Sequence, residues 1–129
     1  MKISHGHASG TATSEVSETF TGTVLRDPVL SGDGAPTVNS VTFPPAARTN
    51  WHIHSDGQIL IVTSGRGRAA SRDGQSEVLE PGDVVWFAPG EDHWHGAGPD
   101  TVMTHIAISL GTTDWGDPAS DEDYATAAR

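Results

Sequence analysis

Two histidines separated by one residue, His52 and His54, are followed by Gln58 at the head of an apolar run that ends at Gly65. Side chains along a β-strand alternate between its two faces, so both imidazoles point to the same side. A turn through residues 55–57 then starts a second strand with the Gln58 amide at its beginning. Imidazole nitrogens and an amide oxygen can bind a divalent cation. The spacing therefore predicts that these three side chains converge on one point.

A third imidazole, His93, follows the turn that contains Pro89-Gly90. A single histidine in a strand is more often a hydrogen-bonded structural residue, and a Gln that begins a strand is more often a surface amide. The four residues together, at this spacing, favour a metal site. Imidazole and amide ligands suit Mn, Fe, Co, Ni or Zn, and the geometry of the site selects among them.

Two further histidines are candidates for proton transfer. His95 lies two residues after His93 and shares its face if the segment is extended, while His105 lies on the next predicted strand between Met103 and Ala107. An imidazole beside a metal can move a proton near neutral pH. The alternative for each is a structural hydrogen bond inside the fold, and for His95 a supporting role next to a ligand.

The segments that carry these residues are short and separated by turn chemistry. Asp73-Gly74 predicts a hairpin turn and Asp27-Pro28 another turn, and no long helical period is present. The pattern is typical of an all-β sandwich or barrel over residues 20–111. Residues 1–19 lack apolar periodicity and predict a flexible start. In the tail, residues 112–129, a short helix is expected over about residues 118–128, with Asp117 as its cap and with Tyr124 and Trp115 packing it.

Composition restricts the function classes. The 129 residues predict one domain, and 17 acidic against 7 basic residues give a net charge of −10, which disfavours nucleic acid as a partner. The chain has no cysteine, which excludes disulfides and thiolate ligands. No signal peptide and no apolar run long enough to cross a membrane are visible. These features predict a cytoplasmic protein with a small-molecule substrate and no membrane partner.

The motifs resemble those of the cupins, small double-stranded β-helix (jelly-roll) barrels that bind one metal. The positions of the first cupin motif are occupied by Ala46, His52, His54, Gln58 and Gly65, and those of the second by Gly82, residues 88–90, His93 and Ala97. Alanine replaces a motif glycine at 46, a proline at 88 and an asparagine at 97. Gln58 replaces the motif acid, so a divalent ion held by three histidines and this amide keeps its full charge. Such an ion is a stronger Lewis acid but is bound less tightly. A metal-free cupin is the alternative.

Longer segments are similar to the bacterial manganese-dependent cupin hydroxynitrile lyases. The similarity is carried by residues 47–54, 58–63, 81–87, 91–96 and 103–105. It implies that His52, His54, Gln58 and His93 bind Mn(II), that His105 transfers a proton, and that the protein is a homo-oligomer, a dimer or tetramer. It also implies the cleavage and formation of cyanohydrins from an aldehyde and HCN.

Two other functions stay open: a metal-dependent oxygenase on a small organic substrate, and a non-catalytic small-molecule-binding cupin. An apolar wall for an aromatic aldehyde is expected from strand residues, namely Val41, Phe43, Leu60, Val62 and Met103. Exposed tryptophans, Trp51 and Trp86, are expected to contribute to a contact between protomers if they face out of the barrel.

Overall fold

The structure is a computed structural model in which residues 1–127 are described, and its regular secondary structure is almost entirely β. The elements, in chain order, are β1 (Ser14–Val16), β2 (Phe20–Thr21), β3 (Val24–Gly32), β4 (Ala35–Phe43), β5 (Arg48–His54), β6 (Gln58–Gly65), β7 (Gly67–Ser71), β8 (Ser76–Leu79), β9 (Val84–Phe87), β10 (His93–Ala97), β11 (Met103–Ser109), β12 (Thr113–Pro118) and α1 (Asp121–Thr126).

Two antiparallel sheets face each other. The first has the strand order β1-β3-β4-β11-β6-β9, and the second has the order β12-β5-β10-β7-β8, with β2 also paired to β5. Neighbours in each sheet are mostly distant in sequence, as in a jelly roll. The expected double-stranded β-helix is therefore confirmed. The hairpin predicted at Asp73-Gly74 is also present, between β7 and β8.

Alternation along the strands creates the core between the sheets. On β6, Gln58, Leu60 and Val62 are buried whereas Ile59 and Ile61 are only half-buried. The same alternation on β11 buries Met103, His105 and Ala107. Fully burying an aliphatic or aromatic side chain stabilises a fold by about 1.5–3 kcal/mol. The interior thus contains an apolar core, to which both sheets contribute, and a group of buried histidines.

The tail packs a second apolar cluster against the outer side of the second sheet. This cluster contains Trp51, Trp94, Ala119, Tyr124 and Ala127. Tyr124 packs the helix, as predicted, and its hydroxyl donates to the carbonyl of Ala97 at 2.7 Å. Trp51 faces out of the barrel, but it is only 6% exposed because the tail covers it, so it is not available for the expected contact between protomers. Its indole also donates to Asp123 at 3.2 Å.

The helix begins later than the sequence suggests. Ser120, not Asp117, is the N-cap: its hydroxyl accepts from the backbone N–H of Asp123, and the Asp123 carboxylate accepts from the N–H of Ser120. This reciprocal capping box satisfies two donors that the helix would otherwise leave unpaired. Asp117 and Pro118 instead end β12. The predicted end at residue 128 lies outside the described residues.

The sheets extend beyond the expected limits of 20–111. Ser14–Val16 pairs with Val24–Arg26 at one edge of the first sheet, within a segment predicted to be flexible. Thr113–Pro118 pairs with β5 in the second sheet, within the segment assigned to the tail. Both corrections have the same reason, since an uncovered strand edge leaves backbone donors and acceptors unpaired. Asp27-Pro28, predicted as a turn, lies inside β3 beside a bulge.

Gly65 ends β6 at a point where no other residue is accommodated. Its φ is +76°, and a Cβ placed there would lie 1.8 Å from the carbonyl oxygen of Val102. The motif glycine is therefore required by backbone contact between β6 and β11. In residues 1–127, no helix is long and apolar enough to cross a membrane.

Candidate metal centre and cavity

The histidines are brought together by strand pairing. β5 carries His52 and His54 on one face, and β10 lies beside β5 with His93 directly opposite His52. The ring centroids of His52 and His93 are 4.2 Å apart, and those of His52 and His54 are 5.0 Å apart. Gln58 begins β6 in the facing sheet and is buried. Residues from both sheets therefore contribute to one buried polar centre.

Backbone carbonyls define the tautomers of two rings. Nδ1 of His52 lies 2.9 Å from the carbonyl oxygen of Asn50, and Nδ1 of His93 lies 2.8 Å from that of Glu91. A carbonyl only accepts, so each Nδ1 donates and each neutral ring keeps a lone pair on Nε2. Orientation by a second hydrogen bond of this kind is typical of metal-binding histidines.

The contact between His93 and Gln58 fits a cation. Nε2 of His93 lies 3.1 Å from Oε1 of Gln58, while the Gln58 amide nitrogen donates to the hydroxyl of Ser109 at 3.1 Å. Because Nδ1 of His93 already carries the proton of the neutral ring, two acceptor atoms face each other here. A bound cation satisfies both lone pairs where a hydrogen bond does not.

His54 completes the predicted set with an unused nitrogen. Its Nδ1 is 3.1 Å from the hydroxyl of Thr113, and its Nε2 is buried without a hydrogen-bond partner in the described residues. A buried nitrogen left unpaired costs about 1–3 kcal/mol. A metal ion is a partner that removes this cost, so the residues present fit the group that the motifs imply.

Among the imidazoles, the tightest cluster differs by one residue from the predicted ligands. The ligand atoms of His52, His93 and His95 all lie within 4.8 Å of one another, and all three residues are buried. His54 is outside this tightest cluster, although its ring centroid is 5.7 Å from that of His93. The structure therefore shows a three-histidine group able to hold a divalent ion, with His54 and Gln58 next to it.

Burial keeps these imidazoles uncharged. Desolvation is the main cause that lowers the pKa of His52 to about 4 and that of His93 to about 2, with repulsion between neighbouring rings as a further cause. Desolvation also lowers the pKa of His54. Neutral imidazoles have free lone pairs at physiological pH, which is the form that binds metals.

His95 and His105 form a buried pair deeper in the same interior. Nε2 of His105 and Nδ1 of His95 are 3.0 Å apart, so one ring donates to the other. The other nitrogens, Nε2 of His95 and Nδ1 of His105, are buried without a partner in the described residues. Burial lowers the pKa of His105 to about 4 and that of His95 well below its usual value. Both rings are therefore neutral at physiological pH.

A cavity of about 240 Å³ opens onto these groups. Its lining residues are Phe20, Arg26, Thr37, Asn39, Val41, Phe43, Thr49, His52, His54, Gln58, His95, His105, Ala107, Ser109, Gly111, Thr113 and Trp115. A larger open groove of about 400 Å³, near β8 and β9, contains none of the predicted site residues. Of the predicted site residues, five line the smaller cavity, namely His52, His54, Gln58, His95 and His105.

Part of the predicted apolar wall is absent from this cavity. Val41 and Phe43 line it, whereas Leu60, Val62 and Met103 are buried in the core away from it. Two aromatic residues were missed: Trp115, whose ring lies 4.6 Å from that of His52, and Phe20. Trp115 had been assigned to the helix. The sequence pattern places Trp115 outside the barrel and Phe20 at its start. Each reaches the cavity because its strand, β12 for Trp115 and β2 for Phe20, pairs with β5.

The arrangement of two antiparallel sheets around three histidines agrees with a family match. Residues 39–108 match the cupin domain family. The chain belongs to the cupins. The match covers both strand pairs that bring His52, Gln58, His93 and His105 together.

Two relatives share much of this cupin's sequence. It is 51% identical over 111 residues to (R)-mandelonitrile lyase of Granulicella tundricola, an alignment that covers 81% of this chain and 85% of the relative. It is also 38% identical to a cupin-like protein of Thermotoga maritima, whose crystal structure superposes with a TM-score of 0.86 over 94% of this chain and 97% of that one.

More distant cupins share only the fold. The polyketide cyclase RemF of Streptomyces resistomycificus is 17% identical and superposes with a TM-score of 0.72, covering 96% of this chain and 90% of that one. At such identity the barrel is common to both proteins but the chemistry is not transferred. The homologue named a mandelonitrile lyase supports an enzyme, and the buried three-histidine cluster supports a divalent metal.

Proposed function

We propose that this cupin is a metal-dependent hydroxynitrile lyase that cleaves cyanohydrins into an aldehyde and HCN and catalyses the reverse addition. The observation that supports this most is the buried contact of His105 with His95, a member of the three-histidine cluster, in one cavity of small-molecule size. The 51% identity to a protein named (R)-mandelonitrile lyase supports the same reaction class.

His52, His54, His93 and Gln58 would hold the ion, through the nitrogens left free by the Asn50, Glu91 and Thr113 contacts and through the amide oxygen. When bound, a divalent cation supplies Lewis acidity to the hydroxyl of the cyanohydrin. Mn(II) is our proposal for the ion, on the resemblance to the manganese-dependent lyases.

The chain's own residues account for the proton. In cleavage, a histidine of the buried pair takes the hydroxyl proton, which we assign to His105. The electron pair of that O–H bond becomes the second bond of the carbonyl, and the carbon–cyanide bond breaks with its electron pair on cyanide. The imidazolium of the pair then returns the proton to cyanide, giving HCN. A neutral, buried base is suited to this exchange because it releases the proton readily.

The activity is tested with purified protein and racemic mandelonitrile. Cyanide release with Mn(II), its loss after chelation and its return on adding the metal are expected. Full activity in protein shown to be metal-free by elemental analysis would contradict the proposal. Oxygen consumption with an electron-rich substrate, without cyanide release, would favour an oxygenase. Thermal stabilisation by small ligands without turnover would favour a binding protein.

The ligand set has its own test, because His95 rather than His54 belongs to the tightest cluster. We expect His54→Ala to lower the metal content of purified protein and His95→Ala to retain it. Each ring has its Nδ1 in a hydrogen bond, to Thr113 for His54 and to His105 for His95, and a buried Nε2 without a partner in the described residues. The expectation therefore rests on the spacing of the cupin motif, which includes His54. The opposite pattern would assign the third imidazole ligand to His95.

We also propose that two copies associate through the outer face of the first sheet. Strand register aligns two rows across this face, Val38–Ile108–Ile59–Trp86 and Ser40–Ile106–Ile61–Val84. Trp86 is 53% and Val84 66% exposed. The rows contain no charged residue, whereas the whole chain has a net charge of −10. Electrostatic repulsion between two copies is therefore weaker at this face than at the charged parts of the surface. A two-fold symmetric pair would cover the same rows on both copies.

A further inference from the structure

One permanent charge lines the cavity, and it is positive. Among the lining residues the histidines are neutral by burial, no carboxylate is present, and Arg26 is the single guanidinium. The whole chain has 17 acidic and 7 basic residues, so a lining with one cation and no anion reverses the sign of the surface. A cavity of this sign favours an anionic ligand.

Strand geometry explains why Arg26 belongs to the cavity. On β3 it is paired with Val41 of β4, and paired residues of neighbouring strands project to the same side of the sheet. Val41 is a lining residue as well. The guanidinium is exposed, which places it at the opening and not beside the buried histidines. It is therefore positioned to contact the part of a substrate farthest from the metal centre.

The Arg26 side chain differs from the other arginines of the described chain in having no protein partner there. Arg48, Arg66 and Arg72 each have an ion pair with a carboxylate, and Arg68 donates to the carbonyl of Tyr124. In residues 1–127, no hydrogen bond or ion pair involves the Arg26 side chain. Its donors are thus free for a ligand.

Apart from the histidines, the cavity lining has both polar and aromatic parts. Thr37 and Asn39 continue the inward face of β4 toward the opening, and Phe20, Phe43 and Trp115 supply aromatic surface. A ligand that satisfies both has an apolar body and one polar end. Ser109 also faces the cavity, but its hydroxyl already accepts from Gln58.

We propose that the substrates of this enzyme carry a carboxylate that Arg26 binds at the cavity opening, with the reacting hydroxyl or carbonyl directed to the histidines. The planar guanidinium suits a carboxylate because it can donate two parallel hydrogen bonds. The volume of about 240 Å³ limits the substrate to a small molecule, such as a carboxylated aromatic aldehyde and its cyanohydrin. This inference rests on the proposed lyase function.

Binding is measured first, with unreactive probes and metal-loaded protein. Calorimetry compares 3- and 4-(hydroxymethyl)benzoate with the corresponding benzamides, which keep the hydroxyl and lose the charge. For at least one isomer we expect the acid to bind about tenfold more tightly than the amide, as for a charge-assisted hydrogen bond. The preference should decrease at high salt. Equal affinities for acid and amide in both isomers would overturn the proposal.

Substitutions then test whether Arg26 is the residue that makes the acid bind more tightly than the amide. Arg26→Gln should remove this preference and Arg26→Lys should retain part of it. Arg66→Gln, a matched change at an exposed arginine outside the lining, should leave it intact. A preference that survives Arg26→Gln would overturn the proposal, because the carboxylate would then be held elsewhere, for example by the metal.

Turnover separates this inference from the lyase proposal. Cyanohydrins of carboxybenzaldehydes and of their methyl esters are compared in wild type and Arg26→Gln. We expect the variant to raise KM for the acid about tenfold with little change in kcat, since Arg26 binds away from the reacting bond. If no cyanohydrin is cleaved, the lyase proposal fails while the probe-binding preference still stands or falls by itself.

Discussion

Nε2 of His105 lies 3.0 Å from Nδ1 of His95, so a hydrogen bond joins two imidazoles from different sheets inside the barrel. Both residues line the cavity that contains His52, His54 and Gln58. The pairing joins the predicted proton carrier to a residue whose role the sequence left open. It also means that removing either ring changes the hydrogen bonding of the other.

The first prediction concerns this pair. His105→Ala should lower cyanide release from mandelonitrile about a hundredfold or more, because a positioned acid–base residue contributes at that level. The metal content should be unchanged, since the predicted ligands are intact. His105→Gln, which preserves volume and a polar end, is the control for packing. A variant with normal metal content and normal rate would exclude His105 as the proton carrier.

The second prediction concerns the ligand that departs from the cupin motif. Gln58→Glu should retain metal, and its carboxylate can accept from the Ser109 hydroxyl in place of the bond that the Gln58 amide donates, but its negative charge weakens the Lewis acid. We expect a rate about tenfold lower, or ~1.4 kcal/mol in the barrier. Elemental analysis and the cyanide assay on the same samples provide the measurement. An unchanged or faster rate would refute this account of Gln58.

The third prediction concerns a strained alanine. Ala46 occupies the position of a motif glycine with a φ of 65°, in the left-handed region that disfavours a Cβ. Ala46→Gly should stabilise the protein by about 1 kcal/mol, after the greater entropy of glycine in the unfolded chain is subtracted. Urea denaturation measures the change.

The adjacent residue is the control for that measurement. Ala47 is 3% exposed, and its φ is not positive. Ala47→Gly should therefore destabilise by about 1 kcal/mol through lost packing and added chain entropy. If both glycine substitutions shift stability in the same direction, backbone strain at position 46 is not the cause.

The fourth prediction concerns pH. Burial lowers the folded-state pKa of His52 and His105 to about 4, below the value of about 6.5 in the unfolded chain. Between these values the unfolded chain binds more protons, so the free energy of unfolding rises with pH. Metal-free protein should lose stability as pH falls from about 6.5 to 4, by about 1.4 kcal/mol per pH unit for each such histidine at most.

Urea titrations at pH 7, 6 and 5 measure that dependence. His105→Gln removes one of the titrating rings, so its slope should be smaller by about one proton. Acidic residues with lowered pKa, such as Asp123, lose their contribution only below about pH 4 and do not obscure the window. A constant free energy of unfolding between pH 7 and 5 would contradict the neutral, buried state of these histidines.

The fifth prediction concerns self-association. Ile106→Lys places a charge at the centre of the apolar rows and should convert an oligomer into a smaller species in analytical ultracentrifugation. Gln75→Lys adds the same charge at the exposed β7–β8 turn and should leave the oligomer unchanged. A wild-type chain that sediments as a monomer at micromolar concentration would contradict the proposed interface.

Much of the site was predictable because its geometry is local. The two-residue period of β5 places His52 and His54 on one face whatever the rest of the chain does, and the turn at Gly57 starts β6 with Gln58. The motif spacing then selects His93. In the same way, the alternation on β11 assigns His105 to the interior together with Met103 and Ala107.

Long-range pairing decided the remainder. The sequence by itself determined which side chains share a face, since that depends on a period of two residues. Only the tertiary structure decided that His93 lies opposite His52, that Trp51 is covered by the helix, and that Arg26 faces the cavity. The physical reason is that register between strands distant in sequence, and burial by a segment such as the tail, depend on the combined free energy of hydrogen bonding and apolar contact over the whole barrel.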